Sequence, residues 1–473
     1  MRVDGRVFIA NDAGEHVLLS NTGFTELVEH RLDVTSPLYE ALKARHFLFD
    51  GEDDIPLRLL GVKLRTKKGF LAGFTGLHIF VVTLRCDHSC AYCQVSRVSQ
   101  DRVRYDMTRE MADQALDLVF RSPGRALTIE FQGGEPLLNF PLIRHVVEEA
   151  ERRNMDTHKD LQFVVATNLS LIDDVMLAFF RDRNVHISTS LDGPAFIHNA
   201  NRPRPERDSY ERTIAGITRA REALGPQSVS ALMTTTKLSL EHPIEVVDEY
   251  VRRNFSYIFL RPLSPYGFAA RSSAKTGYEV DRFIQFYKTA LDRIIAMNRD
   301  GHFLVEMYAK IILTKILTPF VTGYVDLRSP TGAGIGVVVY NYDGDVYASD
   351  EARMLAQMGD KRFRLGSLAT DDYQTIFGGP ALRRLVESSC VESLPGCSAC
   401  AYGPFCGSDP IENFTSQGDI IGHHPTSAFC KRNMAIIGHL LGLLHSDDPF
   451  IEELFWSWVH TAPAAELLAQ LPD

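Results

Sequence analysis

Apolar and polar positions change their rhythm along the chain, and each rhythm predicts its own kind of element. Near the start, Arg6–Ala10 and His16–Ser20 alternate or run apolar around Asn11-Asp12-Ala13-Gly14, a hairpin signal. Helical spacing follows over Thr22–Arg31 and Pro37–Phe47. Two short strands and then helices predict a small winged-helix-like α+β module over residues 1–75. Lys63–Gly69, with four basic residues, reads as its linker.

From His78 onward the pattern becomes a regular alternation. Short apolar runs at 78–85, 126–132, 161–167, 185–191, 229–235 and 256–261 predict strands. Helical spacing fills the gaps, around 108–120, 141–153, 171–183, 208–224 and 242–253. Strand–helix repeats of this kind predict a parallel sheet with crossover helices, here a partial (β/α)6 TIM-type barrel over 76–280. In such barrels the chemistry sits at the C-terminal ends of the strands.

Past residue 280 the alternation stops. Arg282–Asn298 and Val305–Leu317 read as helices, and Val337–Tyr347 as a hairpin across Tyr342-Asp343-Gly344-Asp345. Residues 390–430 hold many Gly, Pro and Ser residues with little periodicity, so their order is expected to come from metal rather than from an apolar core. The cysteine-rich region is assigned to a domain of residues 281–446, and 447–473 to a peripheral helical tail.

Composition narrows the class. With 45% hydrophobic and 23% charged residues the chain reads as a soluble globular protein, and its length implies two or three domains. A net charge of −10 argues against nucleic acid or acidic membranes as partners. No stretch reaches the roughly 18 apolar residues of a membrane span. The early Asp4 and the lack of a long apolar run in Met1–Gly14 speak against a signal peptide, so a cytoplasmic setting is expected.

All eight cysteines fall into two groups, 86–93 and 390–430, which favours metal ligation. Cys86, Cys90 and Cys93 follow the first barrel strand directly. Three thiolates on one short loop suit an iron–sulfur cluster or zinc. In a 4Fe–4S cluster they would leave one iron open to a small ligand; zinc would need a fourth donor, and His88 is poorly spaced for it. Gln132-Gly133-Gly134-Glu135-Pro136 ends the second strand, where glycines allow close approach and Glu135 could accept from an ammonium group; alone it could be a plain turn.

At this point the sequence resembles the radical S-adenosylmethionine (SAM) superfamily, whose signature Cys-x3-Cys-x-aromatic-Cys is met by Cys86, Cys90, Tyr92 and Cys93. The resemblance implies that Gly133, Gly134 and Glu135 bind the amino group of S-adenosyl-L-methionine. It also implies that Ser190, Asp192 and Arg202 lie near the cofactor, with Thr167 and Asn168 closing the third strand beside it. Asp192-Gly193-Pro194 could equally be an ordinary turn and Arg202 a surface ion pair. Arg261 at the sixth strand end is a candidate cofactor or substrate contact. The implied chemistry is reductive cleavage of the cofactor to a 5′-deoxyadenosyl radical that abstracts a substrate hydrogen.

Cys397-x2-Cys400-x5-Cys406 with Cys430 resembles the SPASM extension of peptide-modifying radical SAM enzymes and implies one auxiliary 4Fe–4S cluster, with a four-thiolate zinc site as the alternative. Pro410 and Ser349 stand where the extension places further cysteines, which makes a second auxiliary cluster doubtful, and Cys390 is left over. Asp343, Asp350, Asp409 and Glu412 are candidate acid/base groups, each read first as a solvated turn residue.

Over nearly its whole length the chain resembles the maturases of the His-Xaa-Ser system of ribosomally made peptides, the HxsB group. That resemblance rests on Thr83-Leu84-Arg85-Cys86-Asp87-His88, Gln94-Val95-Ser96-Arg97, Ser416-Gln417-Gly418-Asp419 and Pro425-Thr426-Ser427. It implies a precursor peptide as substrate, a reductase or flavodoxin-type electron donor, a second radical SAM maturase as companion, and an N-terminal module that captures the peptide by strand addition. Two other readings stay open: a sulfatase-maturation-type enzyme, and a non-catalytic iron–sulfur or zinc protein.

Overall fold

A computed structural model of the chain describes residues 1–51, 54–93, 101–267, 269 and 277–463. The Gln94–Arg97 motif lies outside them. The fold is α/β with a mostly parallel central sheet. Three short strands, β1 (Arg2–Val3), β2 (Arg6–Ala10) and β3 (His16–Leu19), form an antiparallel sheet near the N-terminus. The central sheet has eight strands. In chain order they are β4 (Leu77–Thr83), β5 (Ala126–Gly133), β6 (Asp160–Ala166), β7 (Val185–Ser190), β8 (Val229–Leu232), β11 (Val337–Tyr340), β12 (Asp345–Tyr347) and β13 (Arg364–Ser367). Their spatial order is β13-β12-β11-β4-β5-β6-β7-β8.

From β4 through β8 every pair is parallel, because each crossover carries a helix, Arg109–Phe120, Phe140–Thr157, Asp174–Asp182 and Ser209–Leu224, and β11 joins β4 in parallel as well. These helices start on side-chain caps such as Thr108 and Asp173, which accept from backbone N–H groups of the first turn. They bury one apolar face on the sheet, where Phe80, Ile129, Phe131, Val165 and Ile187 form the middle of the core.

The sixth barrel strand departs from expectation. Only Tyr257–Ile258 (β9) is extended in a ladder, and it pairs with Val305–Glu306 (β10) rather than with β8. A single backbone bond, Thr235 N to Arg261 O at 2.9 Å, ties the two strand ends together. Buried Glu306 accounts for the change: it accepts from Leu260 N (3.1 Å) and Tyr287 Oη (2.6 Å), drawing the segment toward the helix Val280–Arg299. The β11–β12 hairpin appears as predicted, but it extends the barrel sheet past β4 instead of forming a separate one.

Two further expectations are corrected. Lys63–Gly69 is no linker, since its first five residues end the helix Ile55–Lys67. Basic side chains suit a helix C-terminus; Lys67 lies over the Phe405 ring, 5.1 Å from its centroid, and Lys68 pairs with Glu392. The tail is not peripheral either. Pro449–His460 is a helix with Phe455 and Trp458 fully buried.

The cysteine-rich segment also has an apolar anchor that its sequence hid. Tyr402 and Phe405 are buried, with ring centroids 5.6 and 6.2 Å from that of Phe8 on β2. No helix among the described residues is long and apolar enough to cross a membrane.

Candidate active site

The loop after β4 carries Cys86, Cys90 and Cys93, all half-buried. Its entry is fixed by Arg85, whose guanidinium donates twice to Asp106 (2.7 and 2.8 Å) and once to Leu138 O (2.9 Å). Its middle is fixed by Asp87, which accepts from Asn168 Nδ2 (2.8 Å), Ser170 Oγ (2.5 Å) and Arg204. His88 Nε2 meets Ser209 Oγ at 2.9 Å, and Ser209 Oγ meets His198 Nε2 at 3.2 Å. Asp106, Ser170, Arg204 and Ser209 were not foreseen, since nothing in their local sequence distinguishes them from surface polar residues.

Beneath the loop, β5 ends in Gly133 and Gly134. A Cβ on Gly133 would come within 2.0 Å of Thr83 O, and one on Gly134 within 2.1 Å of Arg85 O. These glycines are therefore required first by the cysteine loop's own backbone. Gly134 N donates to Thr83 O (2.8 Å) and Glu135 N to Arg85 O (2.7 Å).

Glu135 is placed differently from the expected ammonium acceptor. Its carboxylate accepts from Thr167 Oγ1 (2.6 Å), Asn168 N (2.9 Å) and Leu137 N (3.1 Å), and it lies behind the cavity wall. Burial pushes its pKa up to about 7. What the motif offers the cavity is the backbone of Gly133 and Gly134.

Asp192 is likewise fully buried behind the wall. It accepts from Tyr92 Oη (2.6 Å), Arg202 Nε (3.1 Å), Arg202 Nη2 (3.2 Å) and Thr234 N (3.3 Å). Burial works to raise its pKa, but Arg202 above all holds it below the usual carboxylate value. Arg202 also stacks over Tyr92, 5.3 Å from the ring centroid, so the motif's aromatic residue orients the arginine as well as filling space. The surface-pair and plain-turn alternatives do not describe this arrangement.

These elements enclose a cavity of about 230 Å³. Cys86, Cys90 and Cys93 line one side, with Gly133, Gly134, Thr167, Asn168, Ser190 and Arg202 around them. Arg261, Asp350 and Met354 also line the cavity, together with Gln132 of the glycine motif and Glu130 of β5, which sequence reasoning missed. A period-two pattern could have flagged it, because Glu130 and Gln132 share one face of the strand.

The wall is chemically suited to a 4Fe–4S cluster and S-adenosylmethionine. Burial pushes the Cys86 thiol up and the Cys90 thiol to about 12, so thiolates at these two positions call for a strongly positive centre. The Thr189 hydroxyl lines the cavity, buried and without a protein partner. Zinc fits less well. Tetrahedral thiolates at about 2.3 Å from zinc lie about 3.8 Å apart. Yet among the described residues the one set of three Cys, His, Asp or Glu donor atoms within 4.8 Å is Cys86, Asp87 and His88, of which Asp87 and His88 are committed to the clamp above.

In the C-terminal half, Cys397, Cys400, Cys406 and Cys430 come together: burial first, and then neighbouring thiols with Cys400 among them, push up the thiols of Cys397, Cys406 and Cys430. Cys430 sits in the first turn of the helix Ala428–Leu444, where Ser427 Oγ accepts from its N–H (3.3 Å). Cys390 stands apart, beside Glu392 and Lys68. Pro410 and Ser349 instead begin helices: Pro410 opens Pro410–Gln417, and Ser349 caps Asp350–Gln357. Of the acid/base candidates, Asp343 is a turn residue bonded to Asn341, and Asp350 lines the cavity. Asp409 and Glu412 are enclosed rather than solvated.

Comparison with known proteins agrees with this geometry. Residues 80–250 match the Radical SAM superfamily. An uncharacterized protein of Methanocaldococcus jannaschii is 26% identical over 39% of this chain, a match that spans less than two thirds, 62%, of that relative. The cysteine-type anaerobic sulfatase-maturating enzyme of Clostridium perfringens is 22% identical over 68% of this chain and 84% of its own.

Among solved structures, native anSMEcpe with bound AdoMet superposes with a TM-score of 0.64 at 17% identity, covering 83% of this chain and all of that one. SuiB of Streptococcus suis, bound to precursor peptide SuiA, gives 0.54 at 14% identity, covering 91% of this chain and all of that one. The chain thus carries a radical SAM domain, whose cofactors are S-adenosylmethionine and a 4Fe–4S cluster.

Proposed function

We propose that this chain is a radical SAM maturase acting on a ribosomally made precursor peptide, of the His-Xaa-Ser type that its motifs resemble. The observation that carries this reading is the cavity that brings the cysteine loop together with residues from the C-terminal half. Cysteine loop, Gly133-Gly134, Ser190 and Arg202 line it together with Arg261 from the sixth strand end and Asp350 from the helix after β12.

In this reading Cys86, Cys90 and Cys93 hold the cluster, and Gly133, Gly134, Thr167, Asn168, Ser190 and Arg202 receive S-adenosylmethionine. Bound there, the two supply reductive carbon–sulfur cleavage and hydrogen abstraction from the substrate. The protein's part is positioning. Asp87 and Arg85 hold the cysteine loop against the strand ends, while Asp192 and Tyr92 fix the Arg202 guanidinium at the wall. Asp350, held by Arg353 Nε (2.9 Å), is the carboxylate placed to take a proton from substrate.

Cys397, Cys400, Cys406 and Cys430 would hold an auxiliary 4Fe–4S cluster that removes an electron as the product forms. The N-terminal unit is read as the peptide-capturing element; Ile55, Leu59 and Val62 form an exposed apolar stripe on its last long helix. A reductase or flavodoxin-type protein would deliver electrons, and a second maturase would share the substrate.

The test is anaerobic incubation of reconstituted enzyme, S-adenosylmethionine and dithionite with a candidate precursor. The expected result is 5′-deoxyadenosine release with a mass change in the peptide; release without a mass change in any candidate peptide refutes the substrate assignment. The higher TM-score to anSMEcpe favours a second reading, oxidation of a Cys or Ser in a sulfatase, which a sulfatase peptide in the same assay separates.

A further inference from the structure

Lys315 is one of the buried residues of the helix Met307–Leu317, with Ile312, Leu313 and Ile316, and only 5% of it is exposed. A methionine would fill that place without taking a charge out of water, so the ammonium group needs a reason. Its Nζ donates to Leu327 O and to Cys406 O, the latter at 2.8 Å. The second acceptor is thus the carbonyl of an auxiliary cysteine.

That contact is tightly held. A Cβ on Gly407 would come within 2.3 Å of Asp326 O and 2.8 Å of Leu327 Cα. The Cys406-Gly407 backbone therefore lies directly against the turn Val325–Leu327, and Lys315 bridges the two.

Carbonyl oxygens satisfy the ammonium's hydrogens but do not neutralise it. Among the described residues Lys67 and Lys68 line the same small pocket, and Lys67 works with burial against the charge of Lys315. Cys406 leads the groups that favour that charge, ahead of Glu392. Glu392 is already engaged, by Lys68 Nζ (2.5 Å) and Ser329 Oγ (2.5 Å). The thiolate side is left to balance Lys315.

Cysteine spacing suits a cluster as the source of that negative charge. Zinc would draw its thiolates to about 3.8 Å from one another, whereas no three of the Cys397, Cys400, Cys406 and Cys430 sulfurs lie within 4.8 Å of one another. Four thiolates around a 4Fe–4S core leave it net negative, and each added electron makes it more so.

We propose that Lys315 is a positioning residue that sets the auxiliary cluster's reduction potential, its ammonium held beside Cys406 as a fixed counter-charge that strengthens the cluster's hold on an electron. This rests on the reading that Cys397, Cys400, Cys406 and Cys430 carry that cluster. In the reaction the electron comes from the substrate radical, which leaves as oxidised product; the cluster gains that one electron, and no proton passes through Lys315.

The test is a redox titration of the anaerobically reconstituted full-length enzyme, followed by electron paramagnetic resonance. S-adenosylmethionine perturbs only the signal of the cluster with the open iron, which tells the two apart. Lys315→Gln keeps N–H donors for the carbonyls but loses the charge, whereas Lys315→Arg keeps the charge. In the Gln variant reduction of the auxiliary cluster is expected to be about tenfold less favourable, ~59 mV lower for a one-electron couple. The Arg variant should stay close to the wild type, and the cluster at Cys86, Cys90 and Cys93 should keep its potential in both. A Gln variant with full iron and the wild-type potential overturns the proposal, as does an Arg variant displaced as far as the Gln one. Should Lys315→Gln lose the cluster itself, iron content decides: retention in Lys315→Arg supports the counter-charge, and loss in both variants overturns it. Wild-type enzyme holding iron for one cluster only would instead refute the auxiliary-cluster reading, which Cys430→Ser tests independently of Lys315.

Discussion

Asp192 gives the sharpest test of how the cofactor wall is built. The carboxylate is fully buried, and four donors converge on it from Tyr92, Arg202 and Thr234. Asp192→Asn keeps the shape but removes the charge that faces Arg202, whose side chain is only 13% exposed. Removing one partner of a buried pair costs about 3–5 kcal/mol, because the other charge is left uncompensated. Partial exposure of Arg202 puts this case near the lower figure.

Urea unfolding at pH 7 under anaerobic conditions should therefore show a loss of about 3 kcal/mol for Asp192→Asn and a similar loss for Arg202→Met. The double variant should cost little more than either alone, because the two changes remove one interaction. Additive losses, giving about 6 kcal/mol in the double variant, would refute the pairing. The pH dependence has a definite sign. Burial opposes ionisation, but Arg202 holds the folded-state pKa below the ordinary aspartate value of 3.8, so the contribution is complete above that value and vanishes only as pH falls through the depressed one. The difference between wild type and Asp192→Asn should be flat from about pH 8 to 5.

Three other outcomes follow from the same geometry. Cys430→Ser should lower iron content by about four atoms per chain while Cys390→Ser leaves it unchanged, and equal iron in both would undo the auxiliary ligand set. Gly134→Ala drives a Cβ to 2.1 Å from Arg85 O, so it should cost about 1–3 kcal/mol or more and depress iron loading. Gly61→Ala, with nothing within 4 Å, should leave loading intact, and a harmless Gly134→Ala would contradict the tight strand–loop contact. Burial lowers His198 from 6.5 to about 3. Its neutral form therefore supports the fold fully above pH 6.5, and the support is lost below it at about 1.4 kcal/mol per pH unit; His198→Gln should flatten that slope in unfolding titrations, and an unchanged slope would show that His198 is not its source.

The α/β alternation was legible because each crossover helix must bury a face on the sheet, which writes period 3.6 and period 2 into consecutive stretches. Boundaries predicted at 108–120 and 208–224 differ from the observed helices by a single residue at the start. Where the sequence misled, a distant partner decides the outcome. Buried Glu306 pulls the sixth strand out of the ladder, Phe405 turns a basic stretch into a helix end, and Trp458 finds its burial against helices far back in the chain. The site shows the same division. Cysteines and glycines announce themselves by spacing, whereas Asp87's partners Asn168, Ser170 and Arg204 come from two separate strand-end loops. Glu135 stands apart from the cavity that its motif reaches: its carboxylate braces Thr167 and Asn168, while Gly133 and Gly134 line the cavity.

Ser349 and Pro410 connect the two halves of the functional argument. Each stands where the SPASM pattern that this chain resembles places a cysteine, and each instead starts a helix, Ser349 as cap and Pro410 as first residue. Both substitutions suit those positions, since a serine hydroxyl accepts from the first turn and proline has no N–H to leave unpaired there. The helices so begun carry Asp350, Glu351 and Glu412 in their first turns, and Asp409 caps the second. Giving up thiolates at these points therefore goes together with carboxylates at two helix starts, of which Asp350 lines the cavity. On the reading proposed here, positions that a further cluster would use start helices instead, so that a single auxiliary cluster and the Asp350 carboxylate in the cavity wall both follow from the helix start at Ser349.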